Sequence, residues 1–227
     1  MSVYYNHTTP GNVNLEPYTM DDYGSSMTYG IPISEFDLLS SGGGYDHIAI
    51  SNVNPALVSP SVTGFLSTNP SPYNQLKVIS GISHVTLNRA IFPTKGNEQS
   101  ISATIGAPAY KSSLGYYQMG YDGRVYYPLA FGFILNPHMT LGYGNGYGNT
   151  HQLPFFNNYY AGGLQTLPGY TANTLGPKNP VNTSQALGGN IETLGGLNFI
   201  LPDFISHKVR TAFILDAGNI FQTNHFS

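Results

Sequence analysis

Between Tyr117 and Leu129 the chain alternates. Tyr117, Met119, Tyr121, Val125, Tyr127 and Leu129 fall on one parity, and Gln118, Gly120, Asp122 and Arg124 on the other. Successive side chains of a strand point to opposite faces of its sheet, so this is a strand with one apolar and one polar face. Ser100–Pro108 repeats the pattern, with Ile101, Ala103, Ile105 and Ala107 opposed to Ser102, Thr104 and Gly106. Val209–Gly218 does so again, setting Val209, Thr211, Phe213, Leu215 and Ala217 against a face that includes Arg210 and Asp216. Such runs extend over roughly nine to thirteen residues. Strands of soluble domains average about 5–6 residues, whereas a tilted strand crossing a bilayer needs about 9–11. Tyr116, Tyr117, Tyr126 and Tyr127 lie near the ends of their run, as aromatic interface girdles do.

Nine candidate strands follow: Ser2–Asn6, Ser25–Ile33, Leu38–Ile48, Gln75–Asn88, Gln99–Pro108, Tyr116–Leu129, Phe131–Gly142, Ile191–Leu201 and Val209–Ile220. Gly and Pro interrupt almost every window that could be helical. Short links such as Ser34–Asp37 and Pro93–Asn97 carry turn residues, while Ser51–Asn74 and Gly144–Gly189 are long. Short turns on one rim and long loops on the other is the arrangement of membrane barrels.

Only 8% of the residues are charged, against about a quarter in a soluble domain, and lipid over one face would keep such a chain dispersed. The net charge of −3 and the scattered Lys and Arg argue against a nucleic-acid surface. With no cysteine there is neither a disulfide framework nor thiolate chemistry. No apolar run approaches the length of a membrane helix, and Met1 is not followed by the basic and apolar regions of a signal peptide.

The seven histidines, His7, His47, His84, His138, His151, His207 and His225, are far apart and show no metal-ligand spacing. Gly142, Gly144, Gly146 and Gly148 could suggest a phosphate cradle, but no helix follows them, so a flexible strand end is expected. Asp21 and Asp22 read as a solvated turn, and no Gly-x-Ser-x-Gly elbow occurs. Nothing here points to an enzyme, a metal or a cofactor. Asp216, a carboxylate inside an apolar run, should face the lumen, because a charge facing lipid costs a few kcal/mol.

Five motifs in order carry a resemblance. Asn88–Gly96 (NRAIFPTKG) looks like a turn between mid-barrel strands. Gly142–Gly146 (GYGNG) precedes the aromatic and glycine-rich stretch Pro154–Pro177, and Gly188–Asn190 (GGN) follows it. Arg210–Asn219 (RTAFILDAGN) matches a late strand. Together they resemble the BamA family of outer-membrane β-barrel assembly proteins, also called the bacterial surface antigen family. The resemblance is weak before about Gln75.

The resemblance implies an all-β fold: an antiparallel transmembrane β-barrel, here a partial barrel of about nine strands over residues 1–227 with an inward-folding loop. It implies that the family's POTRA domains and both terminal barrel strands are absent. It places the chain in the outer membrane of a Gram-negative bacterium. Its expected partners are membrane lipid, the remaining part of the barrel and the POTRA domains, other assembly-machine subunits and unfolded outer-membrane proteins, with no cofactor and no nucleic acid. The implied activity is the folding and insertion of β-barrel proteins. A passive outer-membrane pore and a soluble β-sandwich binding module are the alternatives, the latter distinguished by shorter strands and polar outer faces.

The site residues implied are Gly162, Gly163, Pro168, Gly169 and Tyr170 in the pore loop, with Asn198 and Asp216 on the luminal wall. Asn157–Pro177 should fold back over the concave face and bring Pro168–Tyr170 near the strand of Asp216, with the Tyr170 ring buried. The family's loop motif carries an arginine where this chain has Pro168, and an acidic strand residue where it has Asn198. Loss of both halves of that ion pair together avoids a buried unpaired charge and leaves packing and neutral hydrogen bonds to hold the loop.

Overall fold

The computed structural model describes residues 1–9, 14–202 and 209–223. Nine strands form one antiparallel sheet in sequence order: β1 (Ser2–Thr8), β2 (Thr19–Pro32), β3 (Asp37–Ser51), β4 (Tyr73–Val85), β5 (Gly96–Ala107), β6 (Tyr116–Pro128), β7 (Ile134–Gly146), β8 (Ile191–Ile200) and β9 (Ala212–Phe221). Each strand pairs with its sequence neighbours, leaving β1 and β9 as the two edges. There is no second, stacked sheet among the described residues, which removes the β-sandwich alternative. No helix is long and apolar enough to cross a membrane, which says nothing about a barrel.

The expected alternation holds. Phe213 and Leu215 are 69% and 72% exposed on one face, with Met119, Ile101 and Val78 also exposed on it. Gln118, Asp122, Arg124 and Asp216 lie on the other. On that second face, side chains two strands apart converge. The Tyr4 hydroxyl of β1 donates to Asp46 of β3 across Gly24, and His138 of β7 meets Asp216 of β9 across Gly196. Strands two apart in a flat sheet are about 9.5 Å apart, so the convergence marks this face as concave.

Arg210 departs from expectation. It precedes β9 and donates from Nη2 to the carbonyls of Phe92 (2.9 Å) and Pro93 (2.8 Å) in the β4–β5 turn. Its guanidinium also lies 5.1 Å from the centre of the Phe92 ring. The period-two reading put Arg210 on the concave face of a strand, but strand pairing begins only at Ala212, and the side chain reaches a turn four strands away in sheet order.

The long-loop rim carries its own small core. The β3–β4 link, expected to be irregular, contains helix α1 (Pro60–Thr68). Ser59 caps it by accepting the Val62 N–H, and Pro60 occupies the first turn, where its missing N–H costs nothing. Val62 and Phe65 of α1 pack with Val58, Tyr73, Leu114 and Phe155, and Tyr18 packs against them, so four inter-strand segments share one apolar dome at the end of the sheet. Apolar burial of this kind stabilises loops that have no ladder of their own.

Candidate functional site: the loop on the inner wall

The segment joining β7 to β8 is held against the concave face by neutral groups. Gln118 Nε2 donates to the Asn157 carbonyl at 2.8 Å, and the Tyr159 hydroxyl donates to the Met119 carbonyl at 3.1 Å. The Tyr159 ring lies over Gly142, where a Cβ would come within 2.8 Å of ring atoms. Gly142–Gly146 is therefore ordered strand rather than a flexible end, because loop side chains fill the space its missing side chains leave; Leu153 covers Gly144 in the same way. Tyr159 and Gly189 exchange backbone hydrogen bonds, and Ala161 packs with Leu194 of β8, Ile220 of β9 and Leu175.

Past Ala161 the loop turns on itself. Gly162 and Gly163 both take positive φ (116° and 92°), and a Cβ on Gly162 would lie 2.3 Å from the Thr171 carbonyl oxygen. The Gly163 N–H donates to the Tyr170 carbonyl, and the Leu167 N–H to the Gly163 carbonyl, each at 3.0 Å. Leu167 is 2% exposed and anchors the turn. Gln165 and Thr166 then close one side of a polar chamber of about 330 Å³, whose wall includes Asp122, Arg124, Asn136, His138, Glu192 and Asn198.

The motif residues divide. Gly162 and Gly163 shape the turn. Pro168, Gly169 and Tyr170 are exposed, and Tyr170 at 54% does not bury its ring as expected, because Leu167 takes the packed position beside it. The loop touches β9 at Ile220 through Ala161, Leu175 and Gly176, where a Cβ would lie 2.8 Å from Ile220 Cβ, rather than through residues 168–170. Asn198 donates to Asn136 Oδ1 at 3.1 Å, and Asn136 Nδ2 donates to the Val125 carbonyl at 2.8 Å, so an amide pair occupies this part of the wall. Asp216 Oδ1 lies 3.2 Å from His138 Nε2.

His138 and Gly196 were missed by reading the sequence. Strand pairing puts Glu98, Arg124, His138, Gly196 and Asp216 in one row across β5 to β9. Arg124 Nη2 and Glu98 Oε2 are 2.9 Å apart, so the row carries an ion pair beside the His138–Asp216 contact. Only the register reveals it. Glu16, 3% exposed in the β1–β2 loop, was also missed; its Oε1 accepts the Ser59 N–H at 2.6 Å. Burial pushes its carboxyl above the ordinary carboxylate range, and the Ser59 hydrogen bonds pull it partly back.

A one-layer curved sheet of long strands, apolar outside and polar inside, with a loop laid against the inner wall, is the wall of an outer-membrane β-barrel. The chain matches the Omp85 superfamily domain over residues 1–227 and belongs to that superfamily. It is similar to the outer membrane protein assembly factor BamA of Neisseria meningitidis serogroup B, 25% identical over 221 residues, covering 92% of this chain and 28% of that protein. It is also similar to the crystal structure of BamA from Haemophilus ducreyi lacking POTRA domains 1–3, with a TM-score of 0.87 and 26% identity over 97% of this chain and 46% of that one. The chain thus spans less than a third of the curated relative and under half of the solved one. Like other members, it is an outer-membrane protein of Gram-negative bacteria.

Proposed function

We propose that residues 1–227 are the middle of the barrel domain of an outer-membrane protein assembly factor, which folds and inserts β-barrel proteins. The observation that carries the reading is the loop fixed to the inner wall by Gln118, Tyr159 and the Ala161 cluster. A passive pore needs an open lumen, and a loop fixed on the inner wall favours the other reading. An insertase works instead by strand templating and local disturbance of lipid, neither of which needs a covalent step or a cofactor. The edges at β1 and β9 have unpaired backbone groups that hydrocarbon cannot satisfy, so the working barrel takes further strands on both sides. The proposed partners are those strands, POTRA domains, the other subunits of the assembly machine and unfolded outer-membrane proteins. Pro168, Gly169 and Tyr170 belong to the loop's exposed side in this reading, with Asn198 and Asp216 as luminal wall.

The test is complementation in cells depleted of their own assembly factor. The 227 residues, exported behind a signal peptide, should not restore outer-membrane barrel levels alone. Co-expression with the missing strands and POTRA domains should restore them. Failure of the completed barrel would refute the assembly reading, and rescue by the 227 residues alone would refute the account of the open edges.

A further inference from the structure

Away from the inner wall, the dome encloses a cavity of about 510 Å³, within the range of small-molecule sites. It opens between the N-terminus of α1, the end of β7 and the returning arm of the β7–β8 loop. Glu16 and Ser59 lie at its buried side, Pro60, Val62, Leu153 and Leu187 give it apolar walls, and Asn158 and Gln222 belong to its polar lining.

The polar groups of this cavity are unbalanced. Asn158 Oδ1 and Gln222 Oε1 are buried acceptors without a hydrogen-bond donor. Glu16 is a buried carboxyl, and among the described residues no Lys, Arg or His lies within ion-pair range of it. Buried acceptors and carboxylates are stable only when donors or a cation satisfy them. His151 and Lys178 also line the cavity. The Lys178 ammonium is held at 2.5 Å by the Thr174 carbonyl rather than by Glu16. We infer that the cavity is a binding site for a small organic cation, one carrying a primary ammonium or guanidinium group. The cation would bind to Glu16 and, once the Asn158 and Gln222 side chains turn toward the cavity, donate to their amide oxygens, with its carbon chain against Val62, Leu153 and Leu187.

Burial that raises the carboxyl's proton affinity agrees with this, since a bound cation would relieve the same cost. It also fixes the pH dependence. Proton and cation compete for Glu16, so affinity falls as pH drops through its raised value and is fully present above it.

The experiment is calorimetric titration of the full chain, in the completed barrel and in detergent, with agmatine, and with choline, glucose and inorganic phosphate as comparison probes. Agmatine should bind, and choline, which has no N–H donors, should bind at least tenfold more weakly. Glu16→Gln keeps an acceptor for the Ser59 N–H and should retain the fold by circular dichroism while losing agmatine binding at least tenfold. Lys178→Ala removes a like charge from the cavity wall and should tighten agmatine binding; weaker binding by this variant would overturn the assignment. Equal binding by Glu16→Gln, no binding of agmatine, or preference for phosphate or glucose would each overturn the assignment. Assembly activity is not part of the readout, so the site stands or falls separately from the assembly role.

Discussion

His138 reaches Asp216 over Gly196. The three residues share one row of the sheet, and the glycine between them has no side chain to keep the imidazole and the carboxylate apart. A Cβ at Gly196 would lie 1.8 Å from Asp216 Oδ1 and 2.7 Å from the His138 ring. The same device recurs at Gly24, whose Cβ would meet Asp46 Oδ1 at 2.5 Å on the path from Tyr4.

Replacing Gly196 with alanine should therefore push His138 and Asp216 apart. Overpacking of this kind costs about 1–3 kcal/mol. Thermal unfolding in detergent, followed by heat-modifiable migration on gels, should show a lower midpoint for Gly196→Ala. Gly195→Ala, whose nearest neighbour to a Cβ is 3.6 Å away, should change little.

A double-mutant cycle on His138→Ala and Asp216→Ala should give a favourable coupling of up to about 1 kcal/mol, the range of ion pairs with a partly exposed member. Additive single effects would show that the contact contributes nothing beyond its parts.

The loop anchor separates from the exposed motif. Leu167→Ala removes a fully buried side chain and should cost about 2–5 kcal/mol locally, releasing the turn to protease. Tyr170→Ala should leave the cleavage rate nearly unchanged. Equal protease sensitivity of the two variants would show that Leu167 does not hold the turn.

Glu16 supplies a pH dependence. Its proton affinity is raised in the folded dome, so between the unfolded and folded values the native state holds more protons. Stability of the dome should rise as pH falls across that window and drop as pH rises through it. Amide exchange at residues 59–63, corrected for its intrinsic pH dependence, should be slower in mild acid than at neutral pH. Glu16→Gln should flatten the profile.

The two faces should respond oppositely to charge. Leu215→Lys on the convex face should cost up to about 2–4 kcal/mol of membrane folding stability if the position lies near the bilayer midplane, and Ser102→Lys on the concave face much less. Equal penalties in a lipid-vesicle refolding titration would contradict the assignment of lipid and lumen.

Strand faces came directly from alternation, because a one-residue slip would invert an entire strand and the apolar side was unmistakable in β5, β6 and β9. Asp216 stood out as a carboxylate within an apolar run. Its partner did not, because His138 lies two strands away and the contact depends on register and on a glycine between. Helix α1 had a signature in Ser59-Pro60, but at nine residues it is too short for periodicity to outweigh the Gly and Pro around it. Tyr170 was expected to bury its ring because tyrosine usually does so at a wall; which of two neighbouring apolar residues packs inward depends on the turn set by Gly162 and Gly163, and no pattern in the sequence fixes that.

The neighbour-to-neighbour order of the nine strands has a kinetic counterpart. Each hairpin closes a short segment of chain, so the wall can grow rung by rung with little loop entropy lost at each step. The dome joins distant segments: Asn14 Nδ2 donates to the Ala172 carbonyl, and Asn179 Nδ2 to that of Leu57. Those stitches come within reach only after the intervening strands have zipped, so the dome closes last and, on unfolding, is the part placed to open first.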